Sequence, residues 1–167
     1  MGMVKPALFR TGPRPRRFPR LAWMLLIAAL VAGWALLDDR LAPPPALSEV
    51  RMDFRLCGAR GSGPCVIDGD TVAIGKRRVR LTGYDAPELD GACEAERDNA
   101  DAARRELQAW LARGSFSWTG GDEPPYDRYG RELREARRGD ALLANHMIEA
   151  GLAEGSGWGA VRRDWCA

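Results

Sequence analysis

Hydrophobic and polar positions divide the chain into two parts. Leu21 to Leu37 (LAWMLLIAALVAGWALL) is apolar throughout and carries no charge. That is slightly short of the about 20 residues typical of a membrane-spanning helix, yet within the usual range. From Val50 onward the runs are short and periodic. Arg51 to Cys57 reads as a first strand, and Cys65 to Asp68 leads into the turn Asp68-Gly69-Asp70. Thr71 to Ile74 leaves that turn, and Gly75-Lys76 makes a second. Arg78 to Tyr84 alternates, with Val79 and Leu81 on one face and Arg78, Arg80 and Thr82 on the other. The period then changes. Ala100, Ala103, Leu107, Trp110 and Leu111 recur at helical spacing, from a start near Cys93 to a stop at Gly114. Ser115 to Thr119 and Arg131 to Arg137 read as strands around a polar loop, Gly120 to Tyr129. Asp140 is the expected N-cap of a helix running through Ala150 to Gly151. Little periodicity follows, up to Trp165-Cys166. The pattern predicts an α+β domain. A small five-stranded barrel leaves so few strands without long open edges.

Charge sharpens the division. Lys5, Arg10, Arg14, Arg16, Arg17 and Arg20 precede the apolar run, and no acid lies before Asp38. By the positive-inside rule, residues 1–20 are a basic cytoplasmic tail. Residues 21–37 then read as a transmembrane signal anchor, or as a signal peptide cut near Gly33-Trp34-Ala35. Trp23 and Trp34, placed as interfacial aromatics, favour the anchor. Residues 38–49, with Pro43-Pro44-Pro45, read as a Pro-rich linker, and residues 50–167 as the folded domain. Either reading exports that domain, to a periplasmic or extracellular place. The formal charge of +2, less the six basic charges of the tail, leaves −4 for the remainder. A general basic footprint for nucleic acid is thus missing, and recognition of a polyanion must rest on placed residues.

The four cysteines, Cys57, Cys65, Cys93 and Cys166, form no C-x-x-C pair, and His146 is the single histidine. A zinc cluster is disfavoured. In an exported domain an even count favours two disulfides. Of three connectivities we prefer Cys57–Cys65, a short local loop, with Cys93–Cys166, which pins the C-terminus.

Two acidic turns carry candidate chemistry: Asp68-Gly69-Asp70-Thr71, and Asp85-Ala86-Pro87-Glu88 at the end of the strand holding Arg80. Carboxylates converging from two turns suit a hard cation, calcium or magnesium. Arg80 and Arg131, the latter after Asp127-Arg128-Tyr129-Gly130, supply guanidinium groups. Such groups stabilise the charge that grows on a phosphodiester under attack. Glu88 is a carboxylate able to take a proton from water. Asp127 is expected to shape its turn rather than bind metal. His146 is expected to be structural, and Trp110 core. Arg134, Arg137 and Arg138 are expected to form a solvated face, and Trp158 and Trp165 to pack the tail or stack on bases.

The ordered motifs D-G-D-T, R-L-x-x-x-D-x-P-E and D-x-Y-G-R, from Cys65 to Ala153 with a helix between the second and third, closely resemble the staphylococcal nuclease family. The resemblance implies an OB-type barrel with helices and a calcium-dependent endonuclease cutting DNA or RNA. It implies Asp70, Asp85 and the carbonyl of Ala86 as calcium ligands, with Asp68 behind them. Glu88 becomes the residue acting on water, Arg80 and Arg131 the pair on the scissile phosphate, and Arg128 with Tyr129 the contacts to a terminal phosphate. Ala86 stands where threonine is frequent. The loop after Glu88 is short, and the family's last helix is not evident, a loss that a Cys93–Cys166 bridge offsets. A monomer with no protein partner is expected. Two other readings remain open: a barrel that binds nucleic acid or protein without cutting, and a structural protein of the envelope.

Overall fold

The structure is a computed structural model that describes residues 20–41, 46–58, 63–157 and 159–167, with side chains of the first segment described for 22–34. Two compact units divide between Pro44 and Pro45. The first contains helix α1, Arg20–Leu41. Its apolar side chains, among them Trp23, Leu25, Ile27, Leu30 and Trp34, are exposed. Among the described residues no helix is long and apolar enough to cross a membrane. The apolar run 21–37 extends past the side chains that are described, and the basic tail 1–19 lies outside them.

The second unit has mixed helices and strands, as the α+β expectation required. Strands β1 (Leu47–Val50), β7 (Phe116–Thr119), β9 (Ala136–Arg138) and β10 (Ala141–Leu142) form an antiparallel sheet in the order β1-β7-β9-β10. Strands β2 (Arg55–Leu56), β3 (Cys65–Val66), β4 (Thr71–Ile74), β5 (Arg77–Leu81) and β8 (Glu132–Arg134) form a second sheet in that order. Strands β6 (Tyr84–Asp85) and β11 (Glu154–Gly155) form a third. Helix α2 is Glu94–Ala112 and α3 is Leu143–Glu149.

The local reasons follow the pattern. Val72↔Val79 pairing across the Gly75-Lys76 turn turns both residues into the core, and leaves Arg78 exposed. Helix α2 buries the five residues read from its spacing, Ala100, Ala103, Leu107, Trp110 and Leu111. Cys93 caps it by accepting from the Glu96 N–H. These side chains meet Val50, Phe54, Val66, Phe116, Trp118 and Met147 in one core. Phe116 packs edge-on against Trp110 at 5.5 Å and Trp118 at 5.9 Å.

Several boundaries differ from expectation. Strand pairing begins at Leu47, inside the 38–49 linker, because Leu47–Val50 finds Phe116–Thr119 as partner. Helix α1 continues through residues 38–41 of the same stretch. The 51–57 strand shrinks to Arg55–Leu56. The expected strand 131–137 divides at Glu135: β8 pairs with β5 in one sheet, and β9 pairs with β7 in the other. Asp140 caps nothing. The helix starts three residues later, behind Leu142, which makes no side-chain cap bond, because residues 141–142 first pair with β9. The solvated arginine face is overturned for Arg134 and Arg138. Arg134 is 3 % exposed, and it donates to Glu132 and to the Thr119 and Gly121 carbonyls. Arg138 reaches the Trp110, Gly114 and Ser115 carbonyls at the end of α2, with its guanidinium 4.2 Å over the Trp110 ring. Both disulfides are formed as preferred, Cys57–Cys65 and Cys93–Cys166.

Candidate active site

Four features bring the acidic turns together, three of the backbone and one a buried side chain. β4 and β5 pair antiparallel with Thr71 opposite Arg80, so the Asp70 turn and the end of β5 lie side by side. Gly83, at φ +97°, reverses the chain into β6 against Ala144. Tyr84, fully buried, donates its hydroxyl to the Gly69 carbonyl at 3.0 Å and ties the two turns. Gly69 itself leaves room for no side chain. A Cβ there would lie 2.5 Å from that of Ala86 and 2.8 Å from that of Ala103.

The result is a cluster centred on Arg80. Its Nη1 donates to Asp70 Oδ1 at 3.1 Å, and its Nη2 lies 3.0 Å from Asp70 Oδ2. The same Nη2 donates to Asp85 Oδ1. Asp70 also accepts from the Thr71 hydroxyl at 2.8 Å and more distantly from the Ala86 N–H at 3.4 Å. Asp68 accepts from the Asp70 N–H at 3.1 Å, which places it directly behind the site. Burial pushes the Asp70 carboxyl up to about 6; Arg80 opposes the rise, Asp68 adds to it, and Thr71 and Ala86 oppose it. For Arg80, burial works against the charge, and Asp70 and Asp85 more than offset it.

Asp70 and Asp85 are the residues of this cluster that could hold a hard cation, in exchange for their contacts to Arg80. Asp70 and Asp85 present carboxylate oxygens from adjacent turns, and the Ala86 N–H faces Asp70. The raised Asp70 group is the mark of a buried carboxylate whose charge Arg80 does not fully balance, and a divalent ion would balance it. Another grouping, Cys93 with Glu96 and Cys166, does not fit a metal, because those cysteines share a disulfide and have no thiolate to offer.

The remaining expected residues stand apart from this cluster. Glu88 is exposed on the loop after β6. Partial burial lifts its carboxyl above the ordinary 4.5, Asp68 and Asp90 add to the rise, and Arg80 opposes it. Arg131 precedes β8, whose Leu133 lies beside Arg80. The Arg131 Nε donates to Asp127 Oδ2 at 2.7 Å. Asp127 Oδ1 accepts from the Tyr129 and Arg131 N–H groups, so this residue builds its turn as expected. Tyr129 is 67 % exposed, with Arg128 4.7 Å and Arg131 5.4 Å from its ring centre. His146 is half-buried and bonds Glu106 at 2.6 Å, joining α3 to α2. Trp165 is half-buried beneath Arg163, and Trp158 lies outside the described residues.

Two residues at the site carry no motif. Glu154 pairs across β11–β6 directly opposite Asp85 and is 8 % exposed. Arg162 donates from Nη1 to Glu154 Oε1 at 2.8 Å and to Asp85 Oδ2 at 3.3 Å. Nothing local in the sequence marked either residue. No family model and no curated protein matches the chain.

Proposed function

We propose that this chain is a calcium-dependent endonuclease of the staphylococcal nuclease type, an OB-type barrel that hydrolyses DNA or RNA outside the cytoplasm. The observation that carries the reading is Arg80 held between Asp70 and Asp85, one guanidinium and two carboxylates of separate turns on one sheet end. The passage of residues 132–138 from one sheet into the other supports a closed barrel. Asp70, Asp85 and the Ala86 carbonyl would hold the ion. Bound there, calcium neutralises phosphate charge and polarises the phosphoryl oxygen.

The protein's own groups supply the rest. In this reading Arg80 and Arg131 both reach the phosphodiester. Fixed donors of this kind favour the charge of the transition state over that of the ground state. Glu88, exposed and raised above its ordinary value, takes the proton from attacking water. Tyr129 with Arg128 offers a ring and a cation to a neighbouring phosphate. The apolar run with its basic tail anchors the domain to the membrane.

Purified protein is expected to degrade single-stranded DNA with calcium and not with a chelator. Glu88→Gln should lower kcat by about a hundredfold or more with an unchanged melting curve, because the residue is exposed. Loss of calcium-dependent cleavage should also follow Arg80→Ala. Full activity in both variants would overturn the mechanism. Oligonucleotide binding without cleavage under any divalent metal would favour the binding-module reading.

A further inference from the structure

We propose that Arg162, carried on the C-terminal tail, is a third arginine of the site and contacts a phosphate flanking the scissile one. The inference rests on the nuclease reading for the identity of the ligand. Its geometry is independent of that reading.

The tail reaches the site because both of its ends are fixed. At one end Glu154–Gly155 pairs with Tyr84–Asp85. At the other, Cys166 is bonded to Cys93, the N-cap of α2. Between them the Arg163 N–H donates to Glu154 Oε2, and Arg163 Nη1 donates to the Gly151 carbonyl at 2.7 Å. Arg162 is therefore held beside Asp85 by anchors on both sides in sequence.

Its own contacts use one nitrogen. Nη1 serves both Glu154 and Asp85, while Nη2 and Nε have no partner among the described residues. The side chain is 76 % exposed. A guanidinium with one edge tied to protein and the other open to solvent matches a phosphate oxygen pair. Glu154 matters here. Should a cation take Asp85, the 3.3 Å contact is the one lost, and the 2.8 Å bond to Glu154 keeps Arg162 at the rim. Arg80 lies on β5, and Arg131 immediately precedes β8, whereas Arg162 approaches Asp85 from the β6–β11 side. A nucleic acid strand meeting all three would cross the Asp85 turn. For a domain without a general basic surface, a cation delivered by the tail is a local answer to capture.

The test measures binding of a fluorescently labelled dT 12-mer to the full chain in chelator, where nothing is cut, across a salt series. The slope of log affinity against log salt should lose about 0.7 in Arg162→Gln, one single-strand phosphate contact. Arg162→Lys should keep it. Arg137→Gln removes the same charge from a half-buried side chain that bonds the Gly139 carbonyl, and should keep it too. With calcium, Arg162→Gln should raise KM about threefold and hold kcat within about twofold. An unchanged slope in Arg162→Gln, tighter binding, or an equal loss in Arg137→Gln would overturn the proposal. Wild-type protein that binds the 12-mer but cuts nothing in calcium removes the nuclease reading alone. Cleavage by the wild type with an unchanged Arg162→Gln slope removes this proposal alone, and no binding by the wild type at low salt removes both.

Discussion

Asp70→Asn should stabilise the metal-free protein, and by an amount that depends on pH. The Asp70 carboxyl stands at about 6 in the folded chain against an ordinary 3.8, and burial is the main cause. Between those values the folded state binds the proton more tightly than the unfolded state does. Stability therefore falls as pH rises from about 4 through about 6, and the loss is complete above that. At about 1.36 kcal/mol per tenfold change, the gap corresponds to about 3 kcal/mol at pH 7.5. The attraction to Arg80 is already included, since it acts on the same ionisation. Asparagine has the shape of the neutral acid and keeps an oxygen for Thr71. It should be close to neutral at pH 4 and add up to about 3 kcal/mol at pH 7.5. Urea unfolding of both proteins in chelator, with disulfides intact, at pH 4, 5, 6 and 7.5 measures this difference. Saturating calcium should reverse the order. Wild type gains about 4.1 kcal/mol at a thousand times its Kd, and the variant gains little. A difference that is flat with pH would refute the argument that buried, under-compensated charge at Asp70 is what a cation relieves.

Two further outcomes follow from packing and covalent links. Gly69→Ala should destabilise by about 1–3 kcal/mol in thermal or denaturant unfolding, since its Cβ would meet Ala86 at 2.5 Å and Ala103 at 2.8 Å. Because Ala86 borders the site, calcium affinity measured by calorimetry should fall with it. The double substitution Cys93→Ser with Cys166→Ser opens a bridge spanning 73 residues. It should cost about 4 kcal/mol and loosen the Arg162 segment, seen as faster amide exchange over 156–167.

Much of this molecule is readable from periodicity. The five core positions of α2 follow from 3.6-residue spacing. The inward Val79 and Leu81 and the outward Arg80 follow from alternation, because each depends on the local backbone alone. Asp68, Asp70 and Asp85 could be singled out because Gly and Pro mark their turns. The errors share a cause. Leu47–Val50 is a strand only because Phe116–Thr119 lies beside it, and Asp140 yields its cap role because Ala141–Leu142 pairs with β9. Arg134 is polar in sequence, yet Glu132 and two carbonyls pay for its burial.

By itself, then, the sequence determined the buried stripe of α2, the inward and outward faces of β5, and which turns are acidic. Those properties arise from neighbours within a few residues. Only the tertiary structure decided that Arg80 bridges Asp70 and Asp85, that Asp70 is buried enough to lift its carboxyl, and that Arg162 comes from the far end of the chain to the same carboxylate. Burial and long-range ion pairs depend on what the rest of the chain brings to a point. A tail whose position is set by a disulfide and a two-residue strand carries no periodic signal of where it ends.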